Sequence, residues 1–191
     1  MEKLCPGVFG VISLLFLFAG SLSPGWLVLN VWHFTDLSDP DTAEDATLHL
    51  GLFYLLQVGE NVSISLGYDS IPDEGASYGA EELARDFLEY QIEVIVGIVL
   101  CILSLILLTS CYKQYSPPSI LMWPIITGTG AGIATGVAIC RWLTEVIVQA
   151  KKADVIMEVP YSIILSGIGV LFCSIYLILL IVMYNKHLHN G

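Results

Sequence analysis

The chain has 191 residues, 55% of them hydrophobic, and its mean hydropathy of +0.77 is above that of a soluble domain of this length. The formal net charge is −11, and 14 of the 18 acidic residues lie between Asp36 and Glu93, where Arg85 is the only basic residue. Nucleic acid is bound by clustered Lys and Arg, so this composition argues against nucleic acid as a partner.

Four apolar runs occupy most of the chain, at about residues 6–29, 92–111, 120–142 and 161–184. Each run has about the 20 residues that a helix needs to cross a bilayer. Hydrocarbon offers no hydrogen-bond partners to the backbone, and a helix satisfies its backbone amides and carbonyls internally. The predicted fold is therefore a membrane α-helical one, a four-transmembrane-helix bundle in a single domain over residues 1–191.

The first run also has features of a cleavable signal peptide. Lys3 precedes an apolar stretch over residues 8–19, and the small residues Ala19, Gly20 and Ser21 follow. The apolar character continues past Ser21 to Leu29, however. This favours a retained span in contact with membrane lipid.

The long segment between the first two spans, at about residues 30–91, decides the predicted topology. Asn61-Val62-Ser63 is an acceptor sequon for N-glycosylation, which takes place outside the cytosol. We therefore expect a glycosylated Asn61, an extracellular loop at 30–91, a second one at about 143–160, and both termini in the cytosol. Lys and Arg near the span ends are too evenly divided to set the orientation. The expected location is the plasma membrane.

Three parts of the long loop have the features of strands. Residues 62–66 alternate apolar and polar side chains, which is typical of a half-buried strand, and residues 47–54 and 27–34 are further candidates. A turn-forming cluster at 59–61 predicts a hairpin. Residues 36–45 carry Pro40 and five acids, and are interpreted as a solvated excursion between strands.

Residues 80–88 show helical spacing and continue into the second apolar run. We therefore expect the second span to begin as an exposed helix outside the membrane. Together with the strands, this predicts a small extracellular antiparallel β-sheet beside the four-helix bundle.

A stripe of glycines marks the third span. Gly128, Gly132 and Gly136 lie on one helix face in a doubled G-x-x-x-G pattern, which is typical of close helix packing. We interpret the stripe as packing within the bundle, and contact between copies of the chain is the alternative.

The cysteines fall into two groups by position. Cys5 and Cys111 lie at predicted cytosolic edges of the membrane, where reversible palmitoylation and a plain apolar role are alternatives. Cys101, Cys140 and Cys173 lie deep in apolar runs and are interpreted as packing residues.

The sequence contains no pattern that predicts catalysis. His33 and His49 share the long loop with many carboxylates, but no short His or Cys spacing indicates a metal site. Glu93, Arg141 and Glu145 lie at outer ends of spans, where ionisable groups are usually interfacial or paired. Because no nucleophile stands beside a base and no phosphate loop is present, we expect neither an enzyme nor a cofactor.

Several segments are similar to one known superfamily. Trp26, followed by Gly51-Leu52-Phe53, resembles the W–GLW–C–C signature of the claudin, peripheral myelin protein and epithelial membrane protein superfamily, with Phe53 in place of the second Trp. Residues 83–88 around Arg85 resemble its arginine-containing start of the second span, and residues 142–149 resemble the claudin sequence that leaves the third span. The resemblance covers nearly the whole chain and implies a claudin-like fold.

The family joins two loop strands by a disulfide, and this chain departs from that pattern. Counting from Gly51-Leu52-Phe53, the two cysteine places fall on Leu56 and Leu66, whereas all five cysteines lie in or beside the spans. Losing such a crosslink costs about 2–4 kcal/mol, which two buried leucines at roughly 1.5–3 kcal/mol each would partly offset. We therefore expect a divergent member in which Leu56 and Leu66 are buried and close together across two strands.

The resemblance implies a protein of cell–cell contacts, such as tight junctions, that contributes to adhesion or to a paracellular barrier or pore. Its partners would be other copies or related tetraspans in the same or the apposed membrane. An accessory subunit of a channel or receptor and a myelin-protein-like membrane organiser are the alternatives. If the loop lines a paracellular path, the acids near the strands would favour the passage of cations. The alternative is that these acids only keep an exposed loop soluble. These acids are Glu60, Asp69, Asp73 and Glu74.

Overall fold

The computed structural model describes residues 5–31, 46–58, 63–67, 80–113, 118–152 and 159–190. The helices are α1 (Cys5–Leu22), α2 (Ala80–Lys113), α3 (Met122–Lys152) and α4 (Tyr161–Asn190), with a short 3₁₀ turn at Pro118–Leu121 before α3. The strands are β1 (Leu27–Val31), β2 (Ala46–Leu50), β3 (Tyr54–Val58) and β4 (Ser63–Gly67).

In the described part of the chain, four helical segments are long and apolar enough to cross a membrane. They are Cys5–Leu22, Leu88–Cys111, Met122–Glu145 and Tyr161–His189. By length and composition this fits a multi-pass membrane protein, as the four apolar runs predicted. Helix α2 begins at Ala80, well before its apolar segment, so the prediction of a helix that leads into the second span is confirmed.

The predicted end of the first span, at residue 29, is wrong. Helix α1 ends at Leu22, and Pro24 and Gly25 separate it from β1. Proline and glycine end helices readily, because proline lacks an amide donor and glycine lacks the steric restraint that favours helix. The apolar residues that follow are buried within the fold; these are Trp26, Leu27 and Val28.

The four strands form one antiparallel sheet in the order β1-β2-β3-β4. The strand predicted at 27–34 is confirmed over β1 and the strand predicted at 62–66 over β4, whereas residues 32–34 and 62 lie outside the described residues. The single strand predicted at 47–54 is wrong, because the chain turns at Gly51–Phe53 and divides this stretch between β2 and β3. At the turn the Gly51 amide donates a 2.8 Å hydrogen bond to the carbonyl oxygen of Tyr54.

The chain divides into two compact units. The first comprises residues 1–19, 92–140 and 165–191, and its core contains Leu108, Tyr176 and Leu180. The second comprises residues 20–91 and 141–164 and contains the sheet together with residues from all four helices.

Polar side chains join the helices inside the first unit. Ser13 of α1 donates a 2.8 Å hydrogen bond to the carbonyl oxygen of Gly169 in α4. Ser104 of α2 donates to the Pro124 carbonyl of α3 at 2.7 Å, and its hydroxyl lies 2.7 Å from the Tyr176 hydroxyl of α4. A buried hydroxyl without such partners would be costly, so these bonds restrict how the helices pack.

Candidate functional site

Trp26 belongs to the second unit. It is fully buried, and its indole Nε1–H donates a 2.9 Å hydrogen bond to the carbonyl oxygen of Gly20, near the end of α1. Its backbone amide donates to the Leu50 carbonyl at 3.1 Å, which joins the start of β1 to the end of β2. A single residue therefore links α1 to the first two strands.

A second tryptophan, Trp142 of α3, packs against the first. The two rings meet edge to face, with centroids 5.3 Å apart and planes at 76°. The Trp142 Nε1–H donates a 3.1 Å hydrogen bond to the carbonyl oxygen of Trp26. Tyr90 of α2 makes a similar edge-to-face contact with Trp142 at 5.1 Å. We call Trp26, Trp142 and Tyr90 the aromatic cluster; such pairs are worth about 0.5–1.5 kcal/mol beyond the area they bury.

A charged group borders the aromatic cluster. The Arg141 guanidinium lies 5.2 Å from the centroid of the Tyr90 ring, and its Nη2 lies 2.8 Å from Glu89 Oε2. Its Nε lies 3.5 Å from Glu145 Oε1, while the Tyr90 hydroxyl donates a 2.5 Å hydrogen bond to the other oxygen of that carboxylate. Glu89 and Glu145 are largely exposed, so water screens both ion pairs. The group links α2 to α3 without carrying much of the stability.

The first turn of α4 is attached to the segment between α1 and β1. The Ser162 hydroxyl accepts a 2.8 Å hydrogen bond from the Gly25 amide and lies 2.6 Å from the Ser23 hydroxyl. The Ser162 amide donates to the Gly25 carbonyl at 3.1 Å. A Cβ atom at Gly25 would overlap the ring of Tyr161, so the close approach requires glycine at this position.

The Gly51-Leu52-Phe53 turn is held from two helices. The Leu52 side chain is fully buried, and its carbonyl oxygen accepts a 2.7 Å hydrogen bond from Gln91 Nε2 of α2. The Tyr54 hydroxyl donates to the Leu22 carbonyl, the last residue of α1, at 2.9 Å. With the preceding contacts, every helix supplies at least one hydrogen bond that holds the sheet or its connecting segments.

The fold brings together some of the residues of the claudin-like motif. Trp26, Gly51 and Leu52 are buried within the second unit, and Phe53 is half-buried beside them. Arg85 lies in the first part of α2. The predicted glycosylation site Asn61 and the acids Glu60, Asp69, Asp73 and Glu74 fall outside the described residues, as does His33.

The predicted pairing of Leu56 with Leu66 is wrong by one residue. The register of β3 and β4 places Leu66 opposite Leu55, and Leu56 opposite Ser65. Because neighbours along a strand alternate between the two faces of a sheet, a shift of one residue changes which residue of β3 is paired with position 66. Counting from a motif fixes a position along one strand but not its register with the next.

The glycine stripe of α3 is close-packed at one end only. A Cβ atom at Gly128 would lie 2.9 Å from Leu177 Cδ2 and 3.1 Å from the Ser104 hydroxyl. Among the described residues, the nearest atom at Gly132 would be Cys173 Sγ at 3.7 Å, and at Gly136 no atom would lie within 4 Å. Gly128 therefore allows α2, α3 and α4 to approach one another, and Gly136 has no such role in this chain.

All five cysteines fall within the described residues, and no disulfide joins any of them. Cys5 is exposed at the start of α1, while Cys111 is partly exposed near the end of α2, with its sulfur 3.9 Å from the Ile120 carbonyl oxygen. Cys101 and Cys173 are buried, as expected of packing residues, whereas Cys140 is exposed. Palmitoylation of Cys5 and Cys111 stays a prediction.

Among the residues that the structure describes, no three His, Cys, Asp or Glu side chains come together as metal ligands. His49 of β2 is half-buried, with its ring centroid 6.4 Å from that of Tyr161, and its buried Nδ1 has no hydrogen-bond partner within the described ranges. The described polar contacts of the second unit mostly end on backbone atoms, which is typical of groups that fix a conformation.

Sequence reasoning missed most of the residues that hold this site together. Tyr90, Gln91 and Ser162 were not singled out, although each lies where an apolar run begins, and polar or aromatic residues at span ends are the available signal. Comparison with protein-family models gives no match for the chain, and no curated protein matches it. The similarity to the claudin superfamily therefore stays a prediction.

Proposed function

We propose that this chain is a claudin-like integral membrane protein of cell–cell contacts, in which the β-sheet lies outside the cell and forms an adhesive or pore-lining surface. The observation that carries the proposal is the attachment of the sheet to all four helices. Bonds from Trp26, Tyr54, Gln91, Trp142 and Ser162 make that attachment.

A sheet held in this way suits recognition between molecules. Ordering a loop at the moment of binding costs about 0.5–1.5 kcal/mol for each immobilised side chain, and a surface fixed in advance avoids that cost. The links are made without a disulfide, since every cysteine is a thiol outside the sheet. In the family that the chain resembles, a disulfide joins two strands of the loop. We propose that hydrogen bonds to the four helices hold the sheet in this chain instead.

The charge of the segment supports a preference for cations. Fourteen of the 18 acidic residues lie between Asp36 and Glu93, against one basic residue. Carboxylates that line a narrow aqueous path attract cations and repel anions. We therefore propose that Glu60, Asp69, Asp73 and Glu74 lie along the path, and that both termini are cytosolic.

The test is expression in an epithelial layer that lacks its own claudins. We expect freeze-fracture strands at cell contacts, and a dilution potential that shows sodium to be more permeant than chloride. Replacing Asp69 and Asp73 by Asn should reduce that preference, and more strongly at low salt because charges are then less screened. The matched control replaces Asp39 and Asp41 by Asn, which removes the same charge from the stretch interpreted as a solvated excursion.

Two outcomes would contradict the proposal. If expression leaves conductance unchanged and forms no strands, the protein does not build a paracellular path. If both double variants lower the sodium preference equally, the acids act through net charge and not by lining a path. Co-purification of the chain with a channel or receptor would then favour an accessory subunit.

A further inference from the structure

Four helix termini lie at one end of the first unit. Phe9 of α1 and Ile125 of α3 pack against the core cluster of Leu108, Tyr176 and Leu180. From this cluster α2 and α4 run on to their last residues, while α1 and α3 begin only a few residues before their contacts with it. The starts of α1 and α3 and the ends of α2 and α4 therefore lie at the same end of the unit.

The charge associated with this end is opposite in sign to that of the rest of the chain. The parts of the sequence next to these four termini carry three basic residues, two histidines and one acid. They are Lys3, Lys113, Lys186, His187, His189 and Glu2. The rest of the chain carries 17 of the 18 acids and four of the seven Lys and Arg. Lys113 is the last residue of α2, and Lys186 lies near the end of α4, whereas Lys3 lies outside the described residues.

The end of α4 has the right length to reach lipid headgroups. Met183 packs against the core cluster, and residues 185–189 are all exposed. At a rise of about 1.5 Å per residue, Lys186 lies about 5 Å and His189 about 9 Å beyond Met183 along the helix axis. The headgroup layer of a bilayer is about 5–8 Å thick on each side of the hydrocarbon. Because the apolar run of α4 ends at Tyr184, the exposed turn lies within that layer or at its surface.

Two exposed apolar side chains accompany these charges. Trp123 in the first turn of α3 is 60% exposed, and Leu188 of α4 is 50% exposed. Tryptophan is enriched at the level of the headgroups, and basic residues next to a span attract anionic lipids. This combination fits a lipid surface better than an acidic soluble protein, which would complement the charge alone.

We propose that this end of the first unit binds the headgroups of anionic phospholipids in the surrounding leaflet. We call Lys113, Trp123, Lys186 and Leu188 the basic end. The two lysines pair with headgroup oxygens, and the two apolar side chains lie against the boundary with the acyl chains. Assigning this leaflet to the cytosol rests on the topology given under the proposed function, and the cytosolic leaflet is the one that carries anionic lipid. The contact itself does not depend on that topology.

The experiment uses the full-length protein in liposomes whose two leaflets have the same composition, so that orientation does not matter. Spin-labelled phosphatidylserine and phosphatidylcholine are added in turn, and electron paramagnetic resonance gives the fraction of each lipid that the protein immobilises. We expect a larger immobilised fraction for phosphatidylserine, and the same fraction for phosphatidylglycerol, which carries the same charge. The preference should fall between about 10 mM and about 1 M salt, where the Debye length shortens from about 30 Å to about 3 Å.

The double variant Lys113→Gln with Lys186→Gln should lower the association constant of phosphatidylserine relative to phosphatidylcholine, by up to about fivefold for each lysine removed. The matched control is Lys151→Gln with Lys152→Gln, which removes the same charge from the other end of α3 and should keep the preference. Should the first variant fail to stay monodisperse, the salt series on the wild-type chain decides.

Three outcomes would overturn the proposal. They are equal association of both lipids with the wild-type chain, a preference that salt does not weaken, and the same loss in the two double variants. Equal association would leave the basic end to a protein partner. Because liposomes contain no cell contacts, each of these results leaves the proposed function untouched.

Discussion

At the scale of single residues, indole, hydroxyl and amide hydrogens supply connections of the second unit. Trp142 is informative because its Nε1–H ends on the backbone carbonyl of Trp26, while its ring packs against Trp26 and Tyr90. A buried carbonyl that loses its donor retains the cost of desolvation. Trp142 therefore contributes through one directed bond as well as through its apolar area.

Trp142→Phe should destabilise the protein by about 1–3 kcal/mol, because the Trp26 carbonyl oxygen would lose a buried donor. The matched control is Trp123→Phe in the same helix, where the side chain is 60% exposed and the change should matter little. Each variant is heated in detergent over a range of temperatures, and size-exclusion chromatography then gives the fraction that remains monodisperse. The midpoints of these curves compare the two variants. Equal midpoints would mean that the Trp142 hydrogen bond adds nothing to stability.

At the scale of elements, the turn between β2 and β3 depends on a glycine at position 51. A Cβ atom at Gly51 would lie 2.8 Å from the Tyr54 carbonyl oxygen and 3.1 Å from the Pro24 Cα, both of them backbone atoms that cannot move independently. The turn thus needs glycine because two backbone segments approach it closely.

Gly51→Ala should destabilise the sheet, because the added methyl group displaces the β2–β3 turn and the Pro24 backbone. Gly136→Ala is the control, since no atom of the described part of the chain lies within 4 Å of its Cβ position and alanine favours helix over glycine by about 1 kcal/mol. Limited proteolysis of the two variants separates the effects. We expect faster cleavage of residues 23–67 for Gly51→Ala only, and unchanged cleavage would show that the turn accommodates a methyl group.

The register of β3 and β4 gives a direct test of the corrected pairing. Leu55 and Leu66 are opposite residues, and opposite Cα atoms in antiparallel strands are about 4.5–5.5 Å apart, within the range that a disulfide spans. The double variant Leu55→Cys and Leu66→Cys should therefore form a crosslink when expressed in an oxidising compartment. Leu56→Cys with Leu66→Cys should crosslink poorly, and mass spectrometry of proteolytic fragments distinguishes the two. Efficient crosslinking of the second pair alone would restore the pairing predicted from sequence.

These elements show what sequence reasoning recovers and where it stops. The four spanning helices follow from run length, and β4 follows from alternation, because both are local patterns. The end of α1 was misplaced since residues 26–29 are as apolar as a span, and only the fold shows that Trp26, Leu27 and Val28 are buried within protein. The links from Gln91 and Ser162 join residues far apart in the chain, which no local pattern encodes.

At the scale of the whole molecule, the proposed topology connects the helices, the acidic segment and the function. If the four candidate helices all cross the membrane, both termini lie on the same side of it. If residues 30–91 are extracellular, the sheet and the acidic residues face the neighbouring cell, as an adhesive or pore-lining surface requires. If they are cytosolic, that function is impossible, so topology is the broadest test of the proposal.

Asn61 reports that topology, because its sequon is modified only on the non-cytosolic side. Glycosidase treatment should lower the apparent mass of the wild-type chain, and Asn61→Gln should remove the shift. Ser63→Ala should have the same effect, whereas Ser65→Ala leaves the sequon intact and should keep the glycan. A C-terminal tag should become accessible to antibody only after cells are permeabilised. Staining of that tag on intact cells would place the C-terminus outside, and with it the sheet inside, where it could not meet a neighbouring cell.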